Sequence, residues 1–154
     1  MKRRDVLDSL LDHSLIFELV GGTVTFEKIV DVFYSKIEID PILRPLFPHT
    51  LDAGKKRQAL FLAQKFGGPR EYEKLRGHAR LRKRHFKFAI GIDERNRWVE
   101  LMLTTLIEVG IARDHKAFAT LQEYFERVAT KMINKSEEYF QPIEHHSDDN
   151  PVNL

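Results

Sequence analysis

Apolar residues recur at three- and four-residue intervals along most of this 154-residue chain, and no stretch alternates in the rhythm of a half-buried strand. That pattern restricts the chain to an all-α fold. Glycine and proline cut it into segments at Gly21-Gly22, Asp40-Pro41, Pro45 to Pro48, Gly67-Gly68-Pro69, Gly77, Gly91 and Gly110. Between the cuts, the spacing predicts a short helix over 8–19 with Leu11, Leu15 and Leu19 on one side. A longer helix is predicted over 23–38, with Phe26, Ile29, Val30, Phe33 and Ile37 in one stripe and Thr23 or Thr25 as its cap. Asp40-Pro41 reads as a cap with proline at the first helical position, opening a turn that Pro45 and Pro48 keep short. The next helix covers 51–65, with Gly54, Gln58, Phe61 and Leu62 inward. Another covers 93–109, with Trp98, Leu101, Met102, Thr105, Leu106 and Val109 on one face. A last one starts at an Asp114 cap and buries Phe118, Leu121, Phe125, Val128, Ala129 and Met132. Helices of unequal length with irregular connections fit crossed packing around a cavity better than an up-down bundle.

A chain of this length builds one core and leaves no room for a second full domain. Residues 1–12 read as an extension, 13–140 as the domain and the polar, acidic 141–154 as a disordered tail. No apolar run is long enough for a membrane span, and the acids Asp8 and Asp12 come too soon after the basic start for a signal peptide, so neither is expected. The chain has no cysteine, which excludes a disulfide scaffold, thiolate-held zinc or iron–sulfur clusters and a cysteine nucleophile, and fits a reducing, cytoplasmic setting. Lys+Arg number 25 against 23 Asp+Glu, a net charge of +2 that is small for a duplex-DNA binder.

Three polar side chains interrupt the apolar stripes. Tyr34 lies beside the stripe of the 23–38 helix, Gln58 on that of 51–65, and Trp98 on that of 93–109. Each carries a polar hydrogen that needs a partner if buried. Each alone reads first as a core or boundary residue with an incidental partner; the sharper alternative, which spacing alone does not show, is three donors converging on a small polar ligand. His85 stands in the run Arg80-Leu81-Arg82-Lys83-Arg84-His85-Phe86-Lys87-Phe88. From Arg70 to Lys87 there are eight basic residues and two acidic ones. That run reads as a solvated face, as a nucleic-acid patch with Phe86 and Phe88 interleaved, or as a seat for paired carboxylates. No HExxH pair and no glycine-rich phosphate loop occurs.

The chain resembles the truncated haemoglobins, group II in particular. The matching segments are Phe33-Tyr34, Asp40 to Pro48, Phe61 to Pro69 with Tyr72, Gly77 to His85, and Trp98. The similarity covers about residues 17–135. It implies a globin-like two-over-two helical sandwich holding haem b. By the same resemblance His85 is the iron ligand, Tyr34, Gln58 and Trp98 are the distal donors, and Phe47 packs on the haem in the corner after the short helix. Phe61 lines the pocket. Arg84, with Tyr72 and Arg80 as weaker candidates, partners a propionate. Ala79 stands where the family usually has proline, and so does Ala89, which alters the turns around His85. The implied ligands are dioxygen, carbon monoxide, nitric oxide or peroxide. The implied activity is gas binding that supports nitric-oxide or peroxide detoxification with an external reductase. The alternatives are a haem-based gas sensor acting through a partner and a haem-free basic module that binds nucleic acid. The near-neutral total charge counts against the last, so nucleic acid is not an expected partner.

Overall fold

A computed structural model of the chain describes residues 10–76 and 89–134. Among the described residues there are six α-helices and no strand: α1 (Ile16–Val20), α2 (Thr23–Ile39), α3 (Asp52–Lys65), α4 (Glu71–Arg76), α5 (Ile92–Glu108) and α6 (Phe118–Lys131). Single 3-10 turns precede α1 at His13–Leu15 and follow α2 at Arg44–Leu46. Residues 1–9, the 77–88 segment that holds Arg80, Arg84 and His85, and the expected tail lie outside the described residues.

The long helices form where the stripes predict. The inner face of α2 is Phe26, Ile29, Val30, Phe33, Tyr34 and Ile37, and that of α5 is Trp98, Val99, Leu101, Met102, Thr105 and Leu106. Thr105 is tolerated in the core because its hydroxyl donates to the Leu101 carbonyl at 2.7 Å. Helix α2 packs on α3, α5 packs on α6, and α2 also meets α5, so two helix pairs lie one over the other as expected. Phe26, Phe33, Phe66 and Phe125 are almost fully buried, and removing each ring from water stabilises the fold by about 1.5–3 kcal/mol.

The helix ends depart from expectation. Leu15 and Leu19 face water, and Ile16 carries the buried contact instead. The segment before α1 is not continuous helix: Asp12 caps the 3-10 turn, Leu11 N–H donates to the Thr120 hydroxyl, and Phe17 N–H donates to the Phe66 carbonyl. Gly21, at φ 111°, stops α1. Neither threonine caps α2; Gly22 occupies the cap and the Thr25 hydroxyl donates back to the Val20 carbonyl at 2.7 Å. Helix α6 likewise begins after Ala117, not at Asp114, because turns through His115 occupy the intervening residues.

His13 packs its ring against Phe66 (5.2 Å) and Tyr124 (5.6 Å). Burial lowers its pKa below the ordinary 6.5, and Lys65 and Arg127 push the same way, against Glu123 and Asp12. Below the ordinary value the unfolded chain takes up a proton that the folded chain resists, so stability falls as the pH drops. We expect the thermal midpoint of His13→Gln to fall less than that of the parent between neutral pH and the acid side of 6.5. Parallel slopes in a melting series would remove His13 from the acid response.

Candidate functional site

Helix α2 ends at Ile39, and Asp40 turns the chain: one carboxylate oxygen accepts from Leu43 N–H at 2.9 Å and Ile42 N–H at 3.2 Å. Arg44 then reaches forward to the carbonyls of Phe47 (3.3 Å), Pro48 (2.9 Å) and His49 (2.8 Å). This gathers the corner into one unit and sets the Phe47 ring edge-on to Tyr34, 5.9 Å between centroids. Both rings are buried.

Phe33 joins the site across the helix layers. Its ring lies 6.0 Å from Tyr34 on its own helix and 5.4 Å from Trp98 on α5, each pair tilted edge to face. Trp98 is held on its other side by Phe125 at 5.7 Å. Gln58 is buried on α3 with Gly54 one turn before it and Leu62 one turn after. Phe61, partly buried on the same helix, meets Tyr72 of α4 at 5.2 Å. Tyr34, Phe47 and Trp98 therefore belong to one connected set of rings through Phe33, and Phe61 and Tyr72 form a second pair.

The electrostatic character of the set comes from Trp98. Its indole N–H is buried, yet no acceptor meets it among the described residues. Leaving a buried donor unmatched costs about 1–3 kcal/mol. A small ligand with a partly negative atom would remove that cost. An apolar, ring-lined site with few polar hydrogens suits a flat apolar macrocycle carrying a small polar ligand, so these residues fit haem. His85, Arg80 and Arg84 lie outside the described residues.

Arg44 and Phe33 are contributors that sequence reasoning does not assign to the site. An arginine set between Leu43 and Pro45 in a proline-rich corner is the signal for the first. The second is visible in the sequence only as one more residue of the α2 stripe.

The family model described as bacterial-like globin matches residues 15–134. The haemoglobin of the thermophilic phototroph Chloroflexus aurantiacus is similar in structure, with a TM-score of 0.74 and 49% identity over 79% of this chain and 98% of that one. The group II truncated haemoglobin of Bacillus anthracis is similar with a TM-score of 0.73 and 33% identity, covering 79% of this chain and 92% of its own. Group 2 truncated hemoglobin YjbI of Bacillus subtilis is 32% identical over 121 residues, 79% of this chain and 89% of that protein.

Proposed function

Since the chain belongs to the bacterial-like globins and, among them, to the group II truncated haemoglobins, we propose that Trp98 supplies the leading hydrogen bond to a small gas held in its haem pocket. The cofactor is haem b, and the ligands are diatomic gases such as dioxygen, carbon monoxide and nitric oxide. When bound, haem b supplies a ferrous iron that takes the gas and shifts electron density onto it. The buried indole N–H of Trp98, unmatched among the described residues, carries this reading. A donor already in place and shielded from water stabilises charge on a ligand without reorganising when the ligand arrives.

Tyr34 supports the same ligand with a hydroxyl that rotates to follow it, and the Gln58 amide is the third donor. Phe47 and Phe61 exclude water from the pocket walls. His85 would hold the iron through one ring nitrogen, and Arg84, Arg80 and Tyr72 would anchor the propionates through charge-assisted or phenolic hydrogen bonds. Strong donors slow release, which disfavours a carrier role and favours chemistry on the retained ligand. We place the protein in nitric-oxide or peroxide detoxification, working with a separate reductase in the cytoplasm. Among the described residues no helix is long and apolar enough to cross a membrane.

The purified full-length protein is expected to show a Soret band that shifts on reduction and again on adding carbon monoxide. A chain that shows no such band after reconstitution with haem overturns the reading.

A further inference from the structure

We propose that the Asp40–Arg97 ion pair is the positioning element that aims the Trp98 indole at the gas. The inference rests on the reading of Trp98 as the ligand's donor and extends it to two residues that touch no ligand. Asp40 is 3% exposed, and its two oxygens do different work. One accepts from the Ile42 and Leu43 N–H groups and so shapes the corner. The other accepts from Arg97 Nε at 2.6 Å, across 57 residues of chain. Arg97 directly precedes Trp98 and also reaches Glu100 at 3.3 Å.

The pair thus ties the helix that carries Trp98 to the turn that carries Phe47, with Tyr34 edge-on to Phe47. Helix α5 has a second tie to α2, between Glu108 and Lys36 at 2.9 Å. The two ties are eleven residues apart on α5, about 16 Å along its axis, and join it to Lys36 on α2 and to Asp40 just past the end of α2. Helix α5 is therefore tied at two separated points to α2 and to the corner that follows it. The tie one residue from the indole is the one whose acid is buried; Glu108 is about half exposed. Ring packing on Phe33 and Phe125 fixes the indole plane. A short charge-assisted bond is strongly directional and sets how far α5 is rotated and slid.

Trp98 is the only tryptophan, so its indole N–H gives one resolvable signal in the carbon monoxide complex of the full-length protein. In Arg97→Gln, exchange of that proton with solvent is expected to quicken and dioxygen release to rise by about fivefold or more, with carbon monoxide release changing less. Arg97→Lys, which keeps the charge, is expected to restore part of both. Glu108→Gln, which cuts the other tie of the same helix, is expected to leave both near the parent values. If Arg97→Gln only lowers the melting temperature while indole exchange and the ratio of the two release rates stay put, the pair is merely structural and the proposal fails. The indole signal requires no particular gas chemistry. A Trp98→Phe variant with unchanged dioxygen release would overturn the donor reading, while quickened exchange in Arg97→Gln would still establish the positioning role.

Discussion

Trp98→Phe is expected to raise the dioxygen dissociation rate by about tenfold or more, since it removes one hydrogen bond of about 1–3 kcal/mol and leaves the ring packing largely in place. The indole lies between Phe33 and Phe125 and has little freedom, so its N–H is already oriented when the ligand binds. Phenylalanine keeps an aromatic edge there but has no donor. Tyr34→Phe is expected to act in the same direction by a similar factor. The double variant should fall short of the product of the two, because both donors act on one charge. Gln58→Ala should do less, unless its amide orients Tyr34. Carbon monoxide carries less charge when held, so its release should move less than that of dioxygen in every variant. Stopped-flow rates for both gases decide the matter. Equal effects on the two would point to altered access, and no change in Trp98→Phe would remove the tryptophan from ligand binding.

Gly67→Ala is expected to destabilise the fold by about 2–4 kcal/mol, lowering the melting temperature by about 5–15 °C. Gly67 has φ +100°, which alone disfavours a side chain. A β-carbon there would also collide with the Ser14 carbonyl oxygen, and backbone cannot rotate away as a side chain can. The collision would lift the 3-10 turn and α1 off the end of α3, where Phe17 N–H bonds the Phe66 carbonyl at 2.8 Å. Gly110→Ala separates the two causes. Gly110 has φ +102° but open space where its β-carbon would lie, so it should lose only the about 1–2 kcal/mol of the left-handed conformation. Equal losses in thermal melts of the two variants would show that the Ser14 contact yields.

The central helices were legible because their stripes are set by local periodicity. Phe26 to Ile37 and Trp98 to Leu106 fall on buried faces, and Tyr34 and Trp98 stood out beside them as polar groups needing partners. The edges were not legible in the same way. Leu15 and Leu19 had helical spacing but face water, because the direction of α1 is chosen by bonds from Leu11 to Thr120 and from Phe17 to Phe66. Thr23, Thr25 and Asp114 have the right chemistry for caps, yet glycine geometry and the turn at His115 took those positions. The roles of His85, Arg80 and Arg84 came from the resemblance alone, since a histidine in a basic run has no spacing signal of its own.

By itself the sequence determined that the chain is helical, where each long helix runs and which face it buries. Those properties follow from backbone hydrogen bonding and apolar spacing within a few turns. It also marked Tyr34, Gln58 and Trp98 as polar groups on or beside the inward stripes. Only the tertiary structure decided that Phe33 bridges Tyr34 to Trp98 and that Arg97 meets Asp40. Local spacing specifies a face along each helix axis but not how two helices are rotated and slid against each other. That choice is made by ring packing and ion pairing between residues far apart in the chain, and it brings Tyr34, Phe47 and Trp98 into one connected set of rings.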